Sequence, residues 1–168
     1  MKRTILKLTI LFLSSLTIIC AQSVAERYGD RISLLGMSFK DPLVLCQILI
    51  AIFISIVFIQ SGLDKVLNRR NNLEYFKVQF SKSIFNKVYP ILLSLLTILE
   101  LVGGLMLVYG IYFSFAEKTT LWIFYGLVYL AITMIFLLLG QRIAKDYVGA
   151  ADLVPYFILI ILGIMSMY

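Results

Sequence analysis

The chain has 168 residues, 61% hydrophobic and 14% charged, with a mean hydropathy of +0.99; a soluble domain is about 45–50% apolar and about 25% charged, so a water-soluble core is excluded. Apolar runs of about 17 to 23 residues match the ~20 helical residues that cross a ~30 Å hydrocarbon layer, and strands of alternating polarity that would build a β-barrel are missing. The net charge of +6 reads as membrane topology rather than nucleic-acid binding, and the absence of histidine with only Cys20 and Cys46 removes the usual ligands for haem, zinc or an iron–sulfur cluster.

Residues 4–21 follow the basic start Lys2-Arg3 and read either as a signal peptide's apolar stretch or as a first membrane anchor, with retention as an anchor the expectation. Ile19 before Cys20 does not fit a lipoprotein cleavage site. Residues 1–42 thus form an N-terminal apolar segment with a periplasmic connection, and residues 43–168 a membrane domain. Asp41-Pro42, a capping acid with proline at the first helical position, opens the next helix, running from Leu43 to about Ser61.

A cationic stretch follows, with Lys65, Arg69, Arg70, Lys77, Lys82 and Lys87. Within it Leu73, Phe76, Phe80, Ile84 and Val88 recur at helical spacing, which predicts an amphipathic helix in the membrane interface, between the first two core helices; the alternative is a solvated charged loop. Pro90 opens a third segment to about Tyr112, Thr119 and Thr120 precede a fourth over 121–140, and Asp152 is expected to cap a fifth over 153–168. The fold class is therefore all-α and integral to the membrane: a four-transmembrane-helix bundle plus the N-terminal apolar helix.

Trp122, Tyr109, Tyr112 and Tyr125 gather at one set of helix ends, and Tyr89, Tyr147 and Tyr156 at the other, as two aromatic belts. With the N-terminus inside, eleven of the 15 basic residues fall on the inner side and four on the outer. The expected location is a bacterial inner membrane, with the 62–89 loop cytoplasmic and the C-terminus periplasmic.

Glu100 lies near the middle of the third segment, where a carboxylate costs several kcal/mol and requires a partner or a proton. Gly103, Gly104 and Gly110 follow it, and Gly62 lies on the preceding helix; all four suit close helix packing. Glu100 is either a proton or quinone contact or a structural interhelical hydrogen bond. Lys65 is its natural cation, with Gln60 as a possible intermediary, although Glu100 is about 15 Å from the loop-side boundary at the helical rise. Tyr125 and Tyr129 either line a pocket or anchor the interface, and Cys20 and Cys46 either pair or act as small apolar residues.

The run Phe58-Ile59-Gln60-Ser61-Gly62-Leu63-Asp64-Lys65, followed by Glu100-Leu101-Val102-Gly103-Gly104-Leu105 and then Gly110, resembles the DoxX family of small four-helix membrane proteins, over about residues 43–168. The resemblance implies a subunit of, or accessory to, a quinone-linked membrane oxidoreductase. It offers Gly62, Lys65, Glu100, Gly103 and Gly104 as structural or site candidates. On this reading the partners are the lipid bilayer and another membrane or periplasmic protein, the chain carries no metal or covalent cofactor, and a quinone is the candidate ligand. The competing expectation is a noncatalytic assembly or maturation factor whose glycine-lined surface holds a partner protein. A solute or proton pathway needs more intramembrane polar residues than Glu100 alone supplies.

Overall fold

The computed structural model describes residues 32–34, 37–39, 42–81, 83 and 85–168. The chain divides into two compact units, Met1–Pro42 and Leu43–Tyr168. The expected apolar helix over residues 4–21, the Asp41 cap and Cys20 lie outside the described residues.

In the first unit, β1 (Ile32–Leu34) pairs antiparallel with β2 (Met37–Phe39), with Ile32 opposite Phe39, Ser33 opposite Ser38 and Leu34 opposite Met37. This short pair lies in the connection before the membrane unit, where the sequence predicts no element. Its signal is the alternation Ile-Ser-Leu and Met-Ser-Phe, too short to register against the long apolar runs around it.

The second unit is helical: α1 (Pro42–Leu67), α2 (Arg69–Gln79), α3 (Tyr89–Ala116), α4 (Leu121–Ile143), α5 (Tyr147–Asp152) and α6 (Val154–Met165). Four stretches among the described residues are long and apolar enough to cross a membrane: Leu43–Leu67, Tyr89–Ala116, Leu121–Ile143 and Tyr147–Met165. Their outward faces are large and apolar, with Leu49, Ile56, Ile98, Leu105 and Ile132 exposed, whereas Gln47, Ser55, Thr97, Thr133 and Ser114 are buried. That inversion of the soluble pattern is what lipid as a solvent selects.

Small residues set the helix neighbours. A methyl group added to Gly104 of α3 would meet Ile59 Cγ1 of α1 at 2.7 Å, and one on Gly62 of α1 would meet Leu101 of α3 at 2.7 Å. Gly110 of α3 lies against the Ile123 and Trp122 backbone of α4, Gly103 against Leu130, and Gly126 of α4 against Leu107. Gly163 of α6 faces both Leu127 of α4 and Ile50 of α1. The buried Gln47 of α1 donates from Nε2 to the Ser166 carbonyl at 2.8 Å. The helices thus close a ring in the order α1, α3, α4, α6.

Several boundaries move. Helix α1 continues through Lys65 to Leu67 instead of stopping near Ser61. Helix α2 is real but ends at Gln79, so the predicted stripe is cut short: Phe76 and Phe80 stay together at 5.6 Å, Val88 is exposed, and Ile84 lies outside the described residues. The last span starts earlier than expected. Asp146, not Asp152, is its cap: Asp146 Oδ1 accepts the Gly149 amide at 2.9 Å, while Asp152 is exposed. The span is divided at Leu153, and Pro155, lacking an amide proton, sits at the start of α6 where no donor is needed.

Candidate functional site

The paired contacts Gly62 with Leu101 and Ile59 with Gly104 fix the register between α1 and α3. In that register the last turn of α1 stands level with Glu100, the middle of α3, and α3 projects roughly two turns, ~10 Å, beyond it. The ~15 Å separation expected between Lys65 and Glu100 therefore disappears. Lysine does not have to snorkel along the lipid; the helix that carries it ends at the depth of the acid.

Lys65 Nζ donates to Glu100 Oε2 at 2.8 Å and Oε1 at 3.1 Å. It also donates to Ser61 Oγ at 2.6 Å, one turn earlier on α1. The Glu100 side chain is 3% exposed and the Lys65 side chain 14%. Two opposite charges at this burial stabilise one another only with good geometry and further hydrogen bonds, and the bidentate contact with Ser61 beside it supplies both. Ser61 had no role in the sequence reading, although its spacing four residues before Lys65 places the two on one helix face.

The space beside the projecting turns of α3 is a cavity of about 700 Å³. Ser61, Lys65 and Glu100 form its polar end; Leu92, Leu96, Leu99 and Leu137 contribute apolar wall. Helix α2 spans one side with Phe76, and Phe80 and Phe85 continue the aromatic wall in edge contact at 6.1 Å. Gln79 and Gln141 also line it; Gln79 Nε2 donates to Asp146 Oδ2 at 2.8 Å, and the buried Gln141 Oε1 has no hydrogen-bond partner. A cavity of this size, mostly apolar with a few convergent polar groups, is the usual form of a small-molecule site.

Other candidates fall elsewhere. Gln60 is exposed and outside the cavity lining, so it does not mediate the ion pair. Tyr125 is exposed and stacks edge-on with Trp122 at 6.2 Å, within an aromatic group that includes Tyr109 and Phe113; Tyr129 lies beside Gly103. Neither lines the cavity. Cys46 is free and exposed. Gly62, Gly103, Gly104 and Gly110 are all buried against the chain's own helices and present no outward glycine surface. Gly126 and Gly163 belong to the same packing set but carried no nearby motif in the sequence.

A family model described as DoxX matches residues 47–140, more than half of the chain and inclusive of both motifs around Lys65 and Glu100. No curated protein and no solved structure matches it.

Proposed function

The chain belongs to the DoxX family, and from that premise we propose that it is a multi-pass membrane subunit of a quinone-linked redox system, holding the quinone headgroup while a partner protein supplies the electrons. The observation that carries this reading is the position of the Lys65–Glu100 pair at one end of an otherwise apolar cavity of about 700 Å³.

The cavity's chemistry fits such a ligand. An oxidised quinone is a flat apolar ring with carbonyl acceptors and no donors; the Lys65 ammonium, whose three protons point to Glu100 and Ser61, becomes the complementary donor within apolar walls by giving up its longer contact to Glu100, that with Oε1. Reduction adds two electrons from the partner and two protons, converting the carbonyls to hydroxyls, and the Glu100 oxygens then offer the complementary acceptor. One ion pair serves both oxidation states. With no histidine in the chain, the electron-transferring centre is assigned to the partner protein.

The proposed setting is a bacterial inner membrane with the basic 62–89 loop cytoplasmic and the C-terminus periplasmic, supported by the distribution of Lys and Arg. The competing role as an assembly factor loses its proposed docking surface, because the glycines meant to provide it are occupied within the bundle.

Equilibrium binding of a decyl-tailed benzoquinone to the protein in nanodiscs, against empty nanodiscs, tests the reading. Glu100→Gln and Lys65→Met each remove a charged hydrogen-bonding group, an interaction of about 1.5–3 kcal/mol, and should weaken binding roughly tenfold or more. Undiminished binding in both variants contradicts the assignment.

A further inference from the structure

We infer that the cavity receives its quinone sideways from the bilayer and is built for a quinone carrying a long apolar tail, which leaves between α3 and α4. This inference rests on the quinone reading and adds the ligand's tail and its route.

The rim carries the argument. Five residues lining the cavity are exposed: Tyr75 on α2, Leu95 on α3, and Phe136, Leu139 and Ile143 on α4. All are apolar or aromatic. Every polar residue of the lining, in contrast, is buried or only half-exposed: Ser61, Lys65, Gln79, Glu100 and Gln141. A cavity that opened into water would show the reverse, with polar groups at its mouth and apolar ones withdrawn. Leu95 and the three α4 residues also belong to membrane-spanning stretches, so their exposed faces lie against lipid.

The loop-facing side is closed independently. Helix α2 is fastened toward its start by Arg69 Nη2 donating to Ser94 Oγ of α3 at 2.7 Å, and at its end by Gln79 donating to Asp146 at 2.8 Å. Phe76 lies between these tethers, Phe80 and Phe85 follow the second one, the three rings pack in succession, and Phe80 is buried. A polar headgroup approaching from the loop would have to part this aromatic layer. One arriving from the bilayer meets Leu95 and Leu139, and behind them Gly140, where an added methyl group would meet only the tip of Phe80 at 4.0 Å. The ring can advance to Lys65 and Glu100 while its tail remains in lipid. A quinone of this kind loses little by binding, since its tail never leaves an apolar medium.

Two photoreactive benzoquinones, one activated on the ring and one at the end of a decyl tail, test this with the full chain in nanodiscs and peptide mapping by mass spectrometry. The expected result is ring labelling near Lys65 and Glu100 with tail labelling on the exposed α3 and α4 positions around Leu95 and Leu139. The Leu95→Trp/Leu139→Trp double variant should lose the tail labelling at those positions. Ring labelling near Glu100 with tail labelling along α2 or residues 80–88 overturns the lateral route and leaves the quinone reading standing. Persistence of the wild-type tail pattern in the double variant also overturns the route. Loss of both labels in the wild type, with a phospholipid retained in the cavity, overturns the quinone reading and this inference together.

Discussion

Lys65 Nζ stands 2.8 Å from Glu100 Oε2 across the α1–α3 contact, so these two charges form one neutral, bidentate unit. The pair ties the end of α1 to the middle of α3. Its position is dictated by the register of Gly62 on Leu101 and Gly104 on Ile59, which are themselves contacts of a few ångströms between neighbouring helices.

Removing one partner leaves the other charge buried and alone. Lys65→Met or Glu100→Leu should each cost about 3–5 kcal/mol, whereas the double variant should be close to neutral because an uncharged pair needs no compensation. Thermal unfolding in detergent checks this. Losses that simply add in the double variant would show that the two side chains do not act as a pair.

The glycines make a graded series. Gly110→Ala would press a methyl group on the Ile123 amide nitrogen at 2.7 Å and the Trp122 carbonyl carbon at 2.9 Å, and backbone cannot rotate away as a side chain can. A loss of about 1–3 kcal/mol is expected. Gly140→Ala meets only the tip of Phe80 at 4.0 Å, an ordinary van der Waals contact, and should raise stability by up to about 1 kcal/mol. Equal effects at the two positions would contradict the packing described.

Asp146 caps α5 through the Gly149 amide and receives the Gln79 side chain with its other oxygen. Asp146→Ala should cost about 0.5–2 kcal/mol locally. Hydrogen exchange followed by mass spectrometry should show faster exchange over residues 147–152 and at the end of α2. Unchanged exchange in both segments would contradict both the cap and the α2 tether.

Orientation follows from the basic residues. A reporter fused after Arg70 should behave as cytoplasmic and one fused after Glu117 as periplasmic. The reverse pattern would invert the proposed topology.

Much of the membrane unit is legible in the chain because lipid imposes one strong rule, that a span be long and apolar. The four spans, the proline and threonine starts of the first three and the pairing of Lys65 with Glu100 come from local residue patterns. The reason that the pair meets directly does not. It depends on the axial offset of α1 against α3, and nothing in either helix alone encodes an offset. Gln60 is needed as an intermediary only if both helices end at one level. Ser61 was missed for the same reason, since a serine one turn from a lysine acquires meaning only once that turn is buried. The cavity likewise arises from tertiary placement: the leucines of α3 from Leu92 to Leu99 resemble any lipid-facing run until α2 crosses beside them. The sequence points to Asp152 as the cap of the last span because it directly precedes the long apolar run; the earlier start of α5 at Tyr147 gives that place to Asp146.

The central claim, that the apolar cavity presents the Lys65–Glu100 pair to a quinone ring, is tested most directly by where a ring-activated photoreactive benzoquinone labels the wild-type protein in nanodiscs. Labelling concentrated in the peptides around Ser61–Lys65 and Leu92–Glu100, and displaced by excess unmodified quinone, is the predicted result. Labelling confined to the aromatic end around Tyr109 and Trp122, or spread evenly over the lipid-facing helices without displacement, would contradict it.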